Sequence, residues 1–152
     1  MNDPKQNTQK NTGKQMDWGK FDETLAYLDT VFAQQGPFDG VLGFSQGACV
    51  TYVLSALAET GDLPPNIQFK FAVLISGFRP RDSRYSSICT RKIKTVRTLH
   101  VVGKSDDVVD SSRSYEVADN FQDPLIVEHD KGHLVPSDKH VRDALKAFMA
   151  VT

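Results

Sequence analysis

Residues Gly43-Phe44-Ser45-Gln46-Gly47 set a serine between two glycines, directly after the strand-like stretch 38–42 and directly before a helical run of small residues that begins at Ala48. This is the G-x-S-x-G pattern of a nucleophile elbow, in the strand–turn–helix context such a turn requires. A serine hydroxyl is a weak nucleophile until a base takes its proton. The elbow lifts that hydroxyl off the end of a strand and aims the next backbone amide, that of Gln46, at any oxyanion formed there. Gly43 and Gly47 are expected to be glycine because a Cβ at either position would meet the neighbouring strand or helix.

A serine at an elbow needs a base, and the base needs a carboxylate to orient it. The best base is His133, which follows Gly132 in a loop after the last strand. His129 is the nearest competitor and is expected to face packing or solvent. His100 is expected to be a satisfied histidine within a strand, and His140 a surface residue of the last helix. The acid comes from Gly103-Lys104-Ser105-Asp106-Asp107, at the end of the preceding strand. Asp106 is preferred over Asp107, and Asp110 is read as the cap of the following helix. The order Ser45, Asp106, His133 is the one used by α/β-hydrolases. Cys49, one turn beyond the serine, is read as a buried filler, since nothing near it in sequence would lower its thiol pKa.

The elements that must position these residues are legible in the spacing. Phe21, Leu25, Leu28, Val31 and Phe32 recur at helical intervals, with Asp17 as a candidate N-cap and Gly36-Pro37 as the stop. A strand over 40–44 leads to the elbow, and Ala48, Val50, Val53, Leu54 and Leu57 predict a helix ending near Gly61. Residues 69–78 form a nearly unbroken apolar run, as a strand buried on both faces does. Strands are predicted over 98–102 and 125–128, and helices over 111–121 and 137–151, the last capped by Ser137. Strands alternating with helices predict the α/β class, a parallel sheet with helices on both faces.

Composition narrows the function classes. The chain has 152 residues and a net charge of −1, so no overall field draws it to nucleic acid or to an anionic membrane. No apolar run approaches the roughly 20 residues of a membrane span. Two cysteines far apart in sequence, Cys49 and Cys89, make no disulfide framework. With no apolar leader at the N-terminus, a cytoplasmic or nuclear location is expected. Residues 1–15 have no apolar side chain after Met1 and are expected to be a disordered polar tail, with one domain over 16–152. Arg79, Arg81, Arg84, Arg91, Lys92, Lys94 and Arg97 crowd the connection between the second and third strands. That connection is read as a solvated loop, with attraction of an anionic substrate group as the sharper alternative.

Four stretches carry a family resemblance: PFDGVLGFSQGA (37–48), ISGFRP (75–80), GKSDDVV (103–109) and GHLVPS (132–137). Together they resemble the FSH family of serine hydrolases, and the likeness runs from about Asp17 to the C-terminus. The resemblance implies an α/β-hydrolase fold and hydrolysis of carboxylic esters or thioesters, with acyl chains that extend to long ones. By position it implies Ser45 as nucleophile, Asp106 as acid, His133 as base and the Gln46 amide in the oxyanion hole. It implies no metal or organic cofactor, and a small-molecule acyl substrate as the partner. Family members also resemble one another in an N-terminal strand reading roughly L-C-L-H-G, which this sequence lacks. The expectation is therefore a partial fold whose elbow strand is a sheet edge, open to a second copy of the chain. The alternative function is a catalytically impaired module that binds or dimerises through that edge.

Overall fold

The computed structural model of the protein describes residues 20–81 and 83–151. The polar stretch 1–15 and the candidate cap Asp17 lie outside them. The elements run α1 (Phe21–Gln35), β1 (Gly40–Phe44), α2 (Gln46–Thr60), β2 (Phe71–Ile75), α3 (Ser83–Ser86), a 3-10 turn (Ile88–Thr90), β3 (Arg97–Gly103), α4 (Ser111–Ala118), β4 (Leu125–His129) and α5 (Lys139–Ala150). The four strands are parallel and lie in the order β1-β2-β3-β4. Phe44 pairs with Ile75, Ile75 with Val101 and Gly103 with His129, so the strand ends that carry Ser45, Asp106 and His133 fall along one border of the sheet.

The unbroken apolar run in β2 has a direct cause. Ala72 and Leu74 point to one face, among Ala48, Tyr52 and Ala56 of α2 and Val117 of α4. Val73 and Ile75 point to the other, among Leu99, Val101, and Val141 and Phe148 of α5. With helices on both faces, neither side of this strand is free to be polar. Helix α2 is itself covered twice. Ala48, Tyr52 and Ala56 face the sheet, while Cys49, Val53 and Leu57, one position on, face Phe21 and Tyr85. Two adjacent stripes at a spacing of four make a helix that is apolar nearly all round and therefore central. Gly61 ends it at φ 77°, a left-handed cap that glycine takes without strain.

Several boundaries differ from those expected. The strand predicted over 69–78 is ordered as a strand only at Phe71–Ile75. The helix predicted over 111–121 stops at Ala118, because Phe121 turns away to bridge Ile93. The last helix begins at Lys139 rather than Ser137, with Asp138 instead of Ser137 in the cap position and no hydrogen bond from the Asp138 side chain to the first turn. Asp110 caps α4 as expected, accepting from the Ser112 amide at 2.9 Å.

The basic connection between β2 and β3 is tied down by its own charges. Arg79 donates to the Cys89 carbonyl at 3.1 Å and pairs with Glu116 at 3.5 Å. Arg84 pairs with Asp22 at 2.6 Å, and Lys92 donates to the Asp119 carbonyl at 3.2 Å. Arg97 donates to the Phe148 carbonyl at 2.9 Å and lies 4.2 Å from the Phe148 ring. These four side chains hold the fold, which leaves less charge for a ligand than the sequence suggested.

At the other end of the sheet, β1 has a strand neighbour on one side only among the described residues. Leu42 is 56% exposed and Phe38 38%, so this border carries apolar surface along an edge that no other strand among the described residues pairs. No helix among the described residues is long and apolar enough to cross a membrane.

Candidate active site

Ser45 occupies the turn between β1 and α2 with φ 56° and ψ −114°, a conformation that a residue with a Cβ adopts only when its surroundings impose it. The surroundings here are clear. The Ser45 amide donates to the Ile75 carbonyl at 2.9 Å, and the Ser45 carbonyl accepts from the Cys49 amide at 3.0 Å. One bond fastens the turn to β2 and the other makes it the first turn of α2. The two glycines behave differently. A Cβ on Gly43 would lie 2.2 Å from the Gly47 carbonyl oxygen and 2.5 Å from Thr51 Oγ1, so only glycine lets the helix sit this close. A Cβ on Gly47 would meet nothing within 4 Å, which corrects the expectation that both glycines are sterically required.

His133 reaches Ser45 from the loop after β4. Its Nε2 is 2.9 Å from Ser45 Oγ, and its Nδ1 is 2.9 Å from Asp106 Oδ2. Since Nδ1 must donate to the carboxylate, the neutral ring carries its proton there and Nε2 accepts from the serine hydroxyl. The Phe44 ring lies 4.9 Å from the imidazole, tilted by 35°, and backs it from the strand side. The sequence reading missed Phe44, although the residue before an elbow serine is a natural place to look.

Asp106 is held on both oxygens. Oδ1 accepts from the Val108 and Val109 amides, each at 2.9 Å, leaving Oδ2 for His133. Its side chain is 2% exposed. Burial pushes the carboxyl upward, but the hydrogen bonds from His133, Val109 and Val108 outweigh it and hold it below its ordinary value. Asp107 is exposed and belongs to no such arrangement. The Gln46 amide sits in the first turn of α2, where no intrahelical carbonyl reaches it and the helix dipole favours negative charge.

The other candidates separate cleanly. His100 is buried, with Nε2 2.8 Å from Thr98 Oγ1, and burial pushes its pKa down to about 4. His140 is exposed and donates to the Glu128 carbonyl at 2.6 Å. Cys49 is fully buried and its thiol is pushed up to about 12, as suits a filler rather than a nucleophile. Ser76, which the sequence reading passed over, follows β2 with φ 54° and a buried hydroxyl that has no partner among the described residues. It is a second strained serine, at the end of the strand that anchors Ser45.

The chain is 38% identical over 131 residues to "Esterase C25G4.2" of Caenorhabditis elegans, covering 85% of this chain and 58% of that protein. It is 42% identical over 115 residues to "Esterase OVCA2" of Xenopus tropicalis, covering 74% and 49%. The chain thus spans about half the length of these relatives. Among solved structures, Zea mays acyl-protein thioesterase 2 superposes with a TM-score of 0.64 at 20% identity, covering 86% of this chain and 65% of that one. The shared architecture is the α/β-hydrolase fold. A family described as "Serine hydrolase (FSH1)" matches residues 4–145, and the chain belongs to that family.

Proposed function

We propose that the protein hydrolyses carboxylic esters or thioesters of acyl groups through an acyl-serine intermediate. The observation that carries this reading is the relay in which Asp106 holds His133 Nδ1 while His133 Nε2 meets the Ser45 hydroxyl. Ser45 Oγ attacks the acyl carbonyl carbon and its proton passes to His133 Nε2. The oxyanion forms against the Gln46 amide. Collapse of the tetrahedral species expels the alcohol or thiol, which takes the proton from His133. Water then attacks the acyl-serine with His133 again as base, releasing the acid and restoring the serine. The esterase names of the relatives and the thioesterase name of the maize neighbour support the substrate class.

The direct test is labelling of the folded protein with a fluorophosphonate. Label is expected on the wild type and none on Ser45→Ala. Equal labelling of both, or none on a folded wild type, would remove the hydrolase reading.

A second reading draws on the β1 border, where Leu42 and Phe38 stand exposed along an edge that no other strand among the described residues pairs. Here the chain acts as a module that pairs this edge with a second copy of itself. Light scattering at micromolar concentration is then expected to give twice the monomer mass, and Leu42→Lys to return it to one. A wild type that is already monomeric excludes the pairing.

A further inference from the structure

Beneath the loop that carries His133 lies a histidine that the proposed chemistry does not use. His129 ends β4 and is 1% exposed. Its Nδ1 accepts a hydrogen bond from the Lys131 amide at 3.1 Å. An accepting Nδ1 requires the neutral tautomer protonated at Nε2. The ring also fills a specific space. A Cβ on Gly103, at the end of β3, would lie 2.8 Å from His129 Cε1 and 2.9 Å from the carbonyl oxygens of Lys131 and Gly132. The imidazole is therefore wedged between the root of the acid loop and the turn that leads into Gly132-His133.

That wedge is braced on both sides. The Lys104 amide donates to the His129 carbonyl at 2.8 Å, and the Ser105 amide to the Lys131 carbonyl at 3.3 Å. These bonds join the loop bearing Asp106 to the loop bearing His133, immediately before each functional residue. We propose that His129 is a positioning residue: its Nδ1 holds the turn at 130–132 against Gly103, and so aims His133 between Asp106 and Ser45. The proposal rests on the triad reading given above.

The electrostatic setting keeps the wedge neutral. Asp138 and Asp106 favour a charged ring, Lys131 and His140 oppose it, and burial prevails, lowering the pKa from its ordinary value. A second proton would sit on Nδ1 and face the Lys131 N–H, donor against donor. The Nε2 atom is buried and has no partner among the described residues, a feature that does not favour stability. Stability and positioning can therefore be separated by substitution.

Three variants and one spectroscopic measurement test the proposal. His129→Leu removes the acceptor, His129→Asn returns an oxygen close to the Nδ1 position, and His133→Ala reports on the base itself. With a p-nitrophenyl ester as probe, His129→Leu is expected to lower kcat about 10- to 100-fold at unchanged KM, as about an ångström of misplacement does. His129→Asn should recover most of that loss. In nitrogen-15 spectra of the wild-type imidazoles, His129 should appear as the Nε2–H tautomer and stay neutral below its ordinary pKa. The low-field Nδ1–H proton of His133 should vanish in His129→Leu and persist in His129→Asn. Wild-type kcat in a folded His129→Leu, an asparagine variant as impaired as the leucine one at unchanged Tm, or an Nδ1–H tautomer at His129 would each overturn the proposal. If His129→Leu does not fold, the tautomer and the asparagine variant decide. Wild-type turnover in His133→Ala would instead refute the triad reading and with it the catalytic role of the wedge, while the His129 tautomer would still report the packing.

Discussion

His133→Ala is expected to lower ester turnover by about 10⁶-fold, close to the loss for Ser45→Ala, because in the proposed mechanism the two residues act as one unit. The geometry makes the expectation specific. Ser45 Oγ has its proton acceptor at 2.9 Å in His133 Nε2, and without that ring the hydroxyl must ionise unaided. The two changes together should therefore cost little more than either alone. Binding should survive, since the imidazole meets the serine rather than a remote part of the substrate. The measurement is single-turnover acylation with an activated ester, beside a melting curve. The imidazole is partly buried and contacts Phe44, so a modest loss of stability is expected from the void alone. A folded His133→Ala with turnover within tenfold of wild type would exclude His133 as the base.

Asp106→Asn is expected to lower turnover about 10⁴-fold while the chain still folds. An asparagine amide keeps an oxygen for the Val108 and Val109 amides, so the turn after β3 survives. It then presents N–H to His133 Nδ1, which favours the tautomer protonated at Nε2. That tautomer offers Ser45 a donor where an acceptor is needed. The same substitution carries a stability signature whose sign follows from the lowered pKa of Asp106. A carboxyl with a depressed folded-state pKa contributes stability that is present above its ordinary value of 3.8 and is lost as pH falls through the folded-state value. Urea midpoints from about pH 5 to about pH 2 should fall more steeply for wild type than for Asp106→Asn. Parallel curves would mean that Asp106 is not stabilised in its charged form.

Much of this arrangement could be read without coordinates because its signals are local. A glycine–serine–glycine turn reports on a handful of neighbouring atoms. The doubled stripes of α2 and the apolar run of β2 report on what lies beside a single element. Other features are pairings between distant parts of the chain. His133 meets Asp106 across 27 residues and Ser45 across 88, and sequence specifies only weakly which of two adjacent aspartates faces a histidine that far along the chain. The basic connection reads in sequence as a solvated loop, with anion attraction as the alternative, because partners such as Glu116, Asp22 and the Cys89 carbonyl are invisible from its own composition.

The sequence by itself determined the strand–turn–helix at Ser45, the α/β alternation and the chain order of Ser45, Asp106 and His133, all consequences of periodicity and residue type. Tertiary structure alone decided that Gly43 is sterically required while Gly47 is not, that Phe44 backs the imidazole, that Ser76 is strained and that His129 lies wedged under the base loop. Each of these depends on the few ångströms between parallel strand ends, and those distances are set only when β1, β2, β3 and β4 pair in register and the helices close over both faces.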